Sequence, residues 1–334
     1  MMRRSISALY ALIAVPALLT GCGGASSTQP APFTFQQNQS HTAKHGTSPC
    51  PCLYVANNAG QSVTVYASGA PGNAKPIQTI TGSATTLGDP TDVAVDASAN
   101  IYVTNDASVT VYAGGATGNV APIQAIEGSN TGLDFPFGIA LDPLNGDIYV
   151  ANNGNNTVTV YPPGANGNVA PIATIGGGST GLNGPDGVAL DASGNIYVTN
   201  FFSTVTVYAA GATGNVAPMR TIAGTRTKLY DPFGIALDTG SKLYVANYAN
   251  QSVTVYAAGA NGDARPLQYI KRSMTKLKEP SGLALDGSDN IYVANHTYNW
   301  ITVFAAGSTG DVAPIKIIKG KRTGLDVPAG ITIR

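Results

Sequence analysis

The sequence predicts an all-β chain, a six-bladed β-propeller of four-stranded antiparallel blades closed by its C-terminal strand joining the first blade. Three observations predict it. A phrase of the form [IL]-Y-V-[AT]-N begins at Leu53, Ile101, Ile148, Ile196, Leu243 and Ile291, six copies spaced 47 or 48 residues apart. A period of that length marks a solenoid or a propeller. No segment carries sustained helical periodicity of apolar residues, which excludes the helical solenoids. The two ends also complement each other: the first unit opens at LYVAN with no P-x-G-I-A-L-D strand before it, and the last stops after PAGITIR, which is that strand alone.

Within one unit the elements follow in order. PFGIALD from Pro136 is an innermost strand, with small residues alternating with large ones as a crowded axis requires. IYVAN from Ile148, TVTVY from Thr157 and PIATI from Pro171 are β-branched or aromatic runs, the composition of half-buried strands. Gly, Asn, Asp and Pro punctuate them. In LDASGNIYV the turn is set by Asp191, placed to accept turn amides, and by Gly194, which supplies a permissive backbone. If the innermost strand runs downward, the loop entering it and the loop after YVAN lie on one face, here called upper. The ASGN and GATGNVAP turns lie on the other.

The chain before Leu53 reads differently. Arg3 and Arg4 precede the apolar run ISALYALIAVPALL, shorter than the roughly 20 residues of a spanning helix, so residues 1–21 are expected to be a signal peptide. Leu19-Thr20-Gly21-Cys22 resembles a bacterial lipoprotein signal, which implies acylation of Cys22 and a chain exported and tethered to the envelope membrane by lipid. Residues 22–52, rich in Gly, Ser, Thr, Gln and Pro, read as a flexible linker spanning about 30 Å. His41 and His45 fall in it as solvated residues. Cys50 and Cys52 are suited either to a tight local disulfide or to a pair between chains, and are too few for structural zinc.

From Leu53 to Arg334 the recurring P-x-G-[IV]-A-[LV]-D, [IL]-Y-V-[AT]-N and V-T-V-[YF] resembles the NHL-repeat six-bladed propellers. The resemblance implies a monomeric propeller at residues 53–334 serving as a binding platform. It departs at the end of the second strand, where many repeats carry Asp and this chain carries Asn57, Asn105, Asn152, Asn200, Asn247 and Asn295. These six either ligate an ion or sugar around the channel or each cap their own turn, and their perfect repetition favours capping.

Departures from the repeat carry more information. Phe201 and Phe202, then Tyr248, then His296, Tyr298 and Trp300 replace small polar residues in the upper loops of three successive units. The loops entering nearby innermost strands bring Arg226, Lys228, Arg272, Lys276 and Lys278, whereas Pro76 to Met219 contains no Lys or Arg. Aromatics beside cations suit an anionic or sugar-bearing ligand, or an envelope protein. The plainer alternative has the aromatics packing on neighbours and the basic loops solvated or facing anionic lipid. No catalytic motif occurs. The recurrent Asp142, Asp191, Asp238 and Asp286 fall at hairpin turns, leaving no carboxylate set for a metal or other cofactor. An envelope-anchored binding or scaffolding propeller is therefore expected, with no nucleic-acid partner; the alternative is a metal-dependent hydrolase or lyase of the lactonase type.

Overall fold

The computed structural model describes residues 52–67 and 69–334. Residues 1–51 lie outside them, and with them the signal peptide, Cys22, His41, His45 and Cys50. Blade 1 contains β1 (Cys52–Asn57), β2 (Ser62–Ala67) and β3 (Gln78–Thr81). Blade 2 is β4 (Asp92–Val95), β5 (Ile101–Asn105), β6 (Ser108–Tyr112) and β7 (Gln124–Glu127). Blade 3 is β8 (Pro136–Leu141), β9 (Ile148–Asn152), β10 (Thr157–Tyr161) and β11 (Ala173–Gly176). Blade 4 is β12 (Pro185–Leu190), β13 (Ile196–Asn200), β14 (Thr204–Tyr208) and β15 (Arg220–Ile222). Blade 5 is β16 (Pro232–Leu237), β17 (Leu243–Asn247), β18 (Ser252–Tyr256) and β19 (Gln268–Lys271). Blade 6 is β20 (Pro280–Leu285), β21 (Ile291–Asn295), β22 (Trp300–Phe304) and β23 (Lys316–Lys319). The last strand, β24 (Pro328–Ile333), returns to blade 1, whose order is β24-β1-β2-β3.

Closure is a full antiparallel pairing, with Leu53 opposite Ile333, Tyr54 opposite Thr332 and Val55 opposite Ile331. The Arg334 amide adds a 3.0 Å bond to the Cys52 carbonyl. Cys52, assigned to the linker on composition, is thus the buried first residue of β1, because this pairing recruits it. The pairing gives blade 1 the fourth strand that the other five blades already have.

The core forms six apolar layers, one between each pair of neighbouring blades. Alternation along a strand explains it: Leu53 and Val55 pack toward Ile301 and Val303 of blade 6, while Tyr54 and Ala56 pack toward Ile101 and Val103 of blade 2. The Tyr ending each third strand is buried and donates to the carbonyl of a Thr in the loop leading into its own blade, as from Tyr66 to Thr323 at 2.5 Å and Tyr112 to Thr85 at 2.6 Å. Phe304 holds that place in blade 6. The GATGN turns do more than cap the lower face. Their Gly makes a parallel bridge to the outer strand of the preceding blade, Ile80 to Gly118 and Ile126 to Gly167, and so ties neighbours together. Among the described residues three short 3₁₀ turns occur, Ser83–Thr85, Ser273–Thr275 and His296–Tyr298. Among the described residues no helix is long and apolar enough to cross a membrane.

Candidate functional site

The upper mouth is built from two loops per blade. The residue before the Pro that leads into each innermost strand takes a left-handed backbone, from Asp89 at φ 46° to Gly184 at φ 58°. In five blades its carbonyl then accepts the amide that follows the Asn, as from Phe201 to Gly184 at 2.9 Å, Tyr248 to Asp231 at 2.9 Å and His296 to Glu279 at 3.1 Å; in blade 2 the Asp106 amide donates to Gly88 at 3.1 Å. This stapling brings together three positions where the repeat varies: the residue before Pro, the residue after Pro, and the residue after Asn.

The six Asn side chains themselves are buried and spent. Asn247 donates to the Val245 carbonyl at 3.3 Å and to Thr254 Oγ1 at 3.0 Å, and accepts the Tyr230 amide at 3.1 Å. Equivalent bonds recur at Asn57, Asn105, Asn152, Asn200 and Asn295. They cap the loops, and none of them lines the axial cavity. The hairpin aspartates are equally local: Asp191 accepts the Ser193 and Asn195 amides and Tyr197 Oη, and these bonds hold its carboxyl below the usual range against the opposing effect of burial.

The axis is narrow at its upper end. Gly138, Gly187, Gly234, Gly282 and Gly330 touch the neighbouring blade's backbone, and a methyl group at Gly234 would stand 2.2 Å from the Ser281 carbonyl oxygen. In five blades the pairing of the first two strands shifts register at this Gly. Blade 2 differs. Asp92 stands there in regular register opposite Thr104, and its carboxylate accepts Val93 N at 2.8 Å and Ile139 N of blade 3 at 3.1 Å. Below runs an axial cavity of about 330 Å³ lined by all six innermost strands.

Carboxyls gather at the mouth. Burial pushes Asp92 up to about 7, and burial with the Asp231 charge pushes Asp186 up to about 8. Asp186 is 3% exposed, accepts Asn153 Nδ2 at 2.9 Å on Oδ1, and has no hydrogen-bond partner on Oδ2. Asp231 and Asp106 are also raised by burial, Asp106 further by Asp89. A line of aromatic contacts crosses from blade 3 to blade 6: Phe137 to Phe233 at 5.6 Å, Phe233 to Tyr248 at 6.3 Å, Tyr248 to His296 at 5.9 Å. Tyr248 Oη donates to Glu279 Oε2 at 3.3 Å, and burial lowers the His296 pKa against the opposing pull of Glu279.

The residues singled out in the sequence therefore divide. Tyr248 and His296 belong to the mouth. Phe201 and Phe202, both exposed, stack on each other at 5.2 Å on blade 4. Tyr298 and Trp300 meet at 5.2 Å further out on blade 6, with Lys278 at 5.8 Å from the Tyr298 ring and Lys319 at 5.8 Å from the Trp300 ring. The Trp300 indole donates to the Lys276 carbonyl at 3.2 Å, which leaves the Lys276 ammonium for other contacts. Arg226 turns outward to Asp263 at 3.1 Å, Lys228 is exposed, and Arg272 starts a 3₁₀ turn at φ 99°. None of the five cations lines the axial cavity. Asp92, Phe137, Asp186, Asp231 and Phe233 were not singled out in the sequence, although the x of P-x-G varies as Thr91, Phe137, Asp186, Phe233, Ser281 and Ala329 and signals three of them, while Asp92 departs from the Gly of that motif and Asp231 precedes its Pro.

A channel-bound divalent ion would need several oxygen or imidazole donors converging. Among the described residues no three His, Cys, Asp or Glu side chains do so. Asp186 with Asn153 and Asp231 falls short of such a set.

Fold and mouth define a closed six-bladed propeller with an asymmetric axial opening. Residues 32–216, more than half of the chain, match the SMP-30/Gluconolactonase/LRE-like region, and the chain belongs to that family. The likeness to NHL repeats holds at the level of the six-bladed propeller. Among solved structures, a protein of unknown function from Bacteroides caccae is 12% identical with a TM-score of 0.63, covering 85% of this chain and 98% of that one. A chain of a nidogen/laminin complex is 16% identical with a TM-score of 0.62, over the same 85% and 98%. A virginiamycin B lyase from Staphylococcus aureus is 11% identical with a TM-score of 0.51, covering 76% and 78%. These likenesses show the fold. No curated protein matches the chain.

Proposed function

We propose that this chain is an exported, lipid-anchored binding propeller of the bacterial cell envelope, and that its upper face on blade 6 recognises an anionic glycan. The observation that carries the reading is the cluster of Tyr298, Trp300, Lys278 and Lys319, where two contacting rings are each flanked by an ammonium. Rings of this kind stack on sugar faces, and the ammoniums attract carboxylate or sulfate groups. Four of the six blades lack both the aromatics and the charges at these positions, so the cluster is not a requirement of the fold.

Capture of the full chain on immobilised heparin, used as a model anionic glycan, tests it. Trp300→Ala with Lys278→Ala should cut retention at least about tenfold without moving the melting temperature. Unchanged retention rejects the patch. Cys22→Ser should shift the protein from the membrane to the soluble fraction; a protein that stays membrane-bound removes the lipid anchor from the reading.

A second reading, an enzyme of the lactonase or lyase type, is favoured by one observation. His296 is held toward its neutral form by burial, 5.9 Å from a Tyr248 ring whose hydroxyl is engaged by Glu279. A neutral imidazole in a mouth is suited to general-base work. Turnover of a lactone panel that disappears in His296→Ala supports it, and no turnover by the folded protein removes it.

A further inference from the structure

The axial cavity is separate from the Tyr298–Trp300 cluster and has its own chemistry. Its volume, about 330 Å³, falls at the small end of ligand sites. Most of the side chains along it are aliphatic. The polar side chains among its lining residues are Asp92, Asp186 and Thr332, and no Lys, Arg or His lines it. Two carboxyls in such surroundings are costly, and hydrogen bonding offsets the cost only in part. Asp92 has backbone amides on both oxygens, but Asp186 leaves Oδ2 without a partner in a side chain that is 3% exposed. On the two flanking blades the same strand position holds Phe137 and Phe233, whose rings meet at 5.6 Å.

We propose that this cavity binds a small organic cation, an alkylammonium compound whose chain lies along the aliphatic walls and whose charged head is held by Asp186 and Asp92 beside the rings of Phe137 and Phe233. Each part of the ligand answers an observation. The positive head satisfies the unpartnered oxygen and meets no competing cation in the walls. Aromatic faces attract ammonium groups, more strongly when water is displaced. The tail buries apolar area between strands contributed by every blade. An anion would meet two carboxyls and no cationic side chain there. A bare divalent ion lacks the donor set, since no third carboxylate or imidazole converges.

Protonation gives the site a signature. Burial holds Asp92 and Asp186 protonated near neutrality, with Asp231 opposing the ionisation of Asp186 and only the neutral Asn153 amide supporting it. A cation binds the ionised form. Affinity therefore rises with pH through about 7 to 8, and binding at neutral pH releases protons.

Calorimetry of the full chain with hexyltrimethylammonium, whose charge does not titrate, tests the proposal, with hexan-1-ol as the neutral control. One-to-one binding is expected, at least about tenfold tighter at about pH 8.5 than at about pH 6, with a heat that depends on the buffer's ionisation enthalpy. Asp186→Asn, which can still accept from Asn153, should lose about tenfold or more, and Phe233→Leu a smaller factor. Trp300→Ala should leave binding unchanged. Equal binding of hexanol, unchanged affinity in Asp186→Asn, loss in Trp300→Ala, or binding of Ca²⁺ in place of the ammonium would each overturn it. Because the outer cluster is untouched, failure here leaves the glycan reading standing, and the reverse also holds.

Discussion

Asn247 and Tyr248 are neighbours in the chain and opposites in behaviour. Asn247 is 0% exposed, and bonds like its own recur in all six blades. Tyr248 sits half-buried at the mouth, and its counterparts are Asn58, Asp106, Asn153, Phe201 and His296. One residue holds a loop wherever it occurs, and the other gives each blade a different edge. The comparison teaches where to look for function in a repeat protein: repetition marks what the architecture needs, and departure at a position the architecture holds still marks what it is free to use.

Substitution should separate the two most sharply. Asn247→Ala leaves the Tyr230 amide and Thr254 hydroxyl short of a buried partner and should cost about 3 kcal/mol in urea unfolding. Tyr248→Ala should cost about 1 kcal/mol. Equal costs would erase the distinction between frame and mouth.

The mouth also carries a pH effect that the frame does not. Asp92 and Asp186 are raised in the fold from an ordinary 3.8 to about 7 and about 8. Between those limits the folded chain keeps protons that the unfolded chain has released, so stability declines as pH rises from about 4 to about 8 and then levels off. Asp191 and Asp286, lowered by their turn bonds, act with the opposite sign and only below 3.8. Asp186→Asn should flatten the fall in urea midpoint between about pH 5 and 8; a slope unchanged by the substitution would show that Asp186 is ionised at ordinary cost.

The smallest effect tests the frame from the other side. Phe304 stands where five blades have a Tyr bonded to a Thr carbonyl, and Thr275 supplies that carbonyl in blade 6. Phe304→Tyr should add about 1 kcal/mol, read as a rise in melting temperature. A loss would mean that blade 6 is packed around the missing oxygen.

The frame was legible in the sequence because each of its parts is repeated in register: the ring of Asn, the hairpin aspartates, and the complementary ends that pair as β24 and β1. Half of the mouth was legible too, since Tyr248 and His296 stand out against small polar counterparts. The other half was not. Asp92 replaces the Gly of P-x-G in a single blade, and Asp186 sits in the variable place of that motif, where a pattern written to capture the repeat absorbs it. Nor does sequence say where a loop cation points. Arg226 lies in the same kind of loop as Lys278, yet it reaches outward to Asp263 while Lys278 lies against Tyr298, a choice made by side chains contributed from the next turns.

Pairing of β24 with β1 also bears on how the molecule is made. On the ribosome the strands of blade 1 emerge ahead of all others, but their sheet stays one strand short until translation has delivered Pro328 to Ile333. Blades 2 to 6 each hold all four of their strands in one continuous stretch and can assemble during synthesis. The first part of the propeller to be synthesised is thus the last to be finished, and until then β1 offers an unpaired edge to any strand that reaches it.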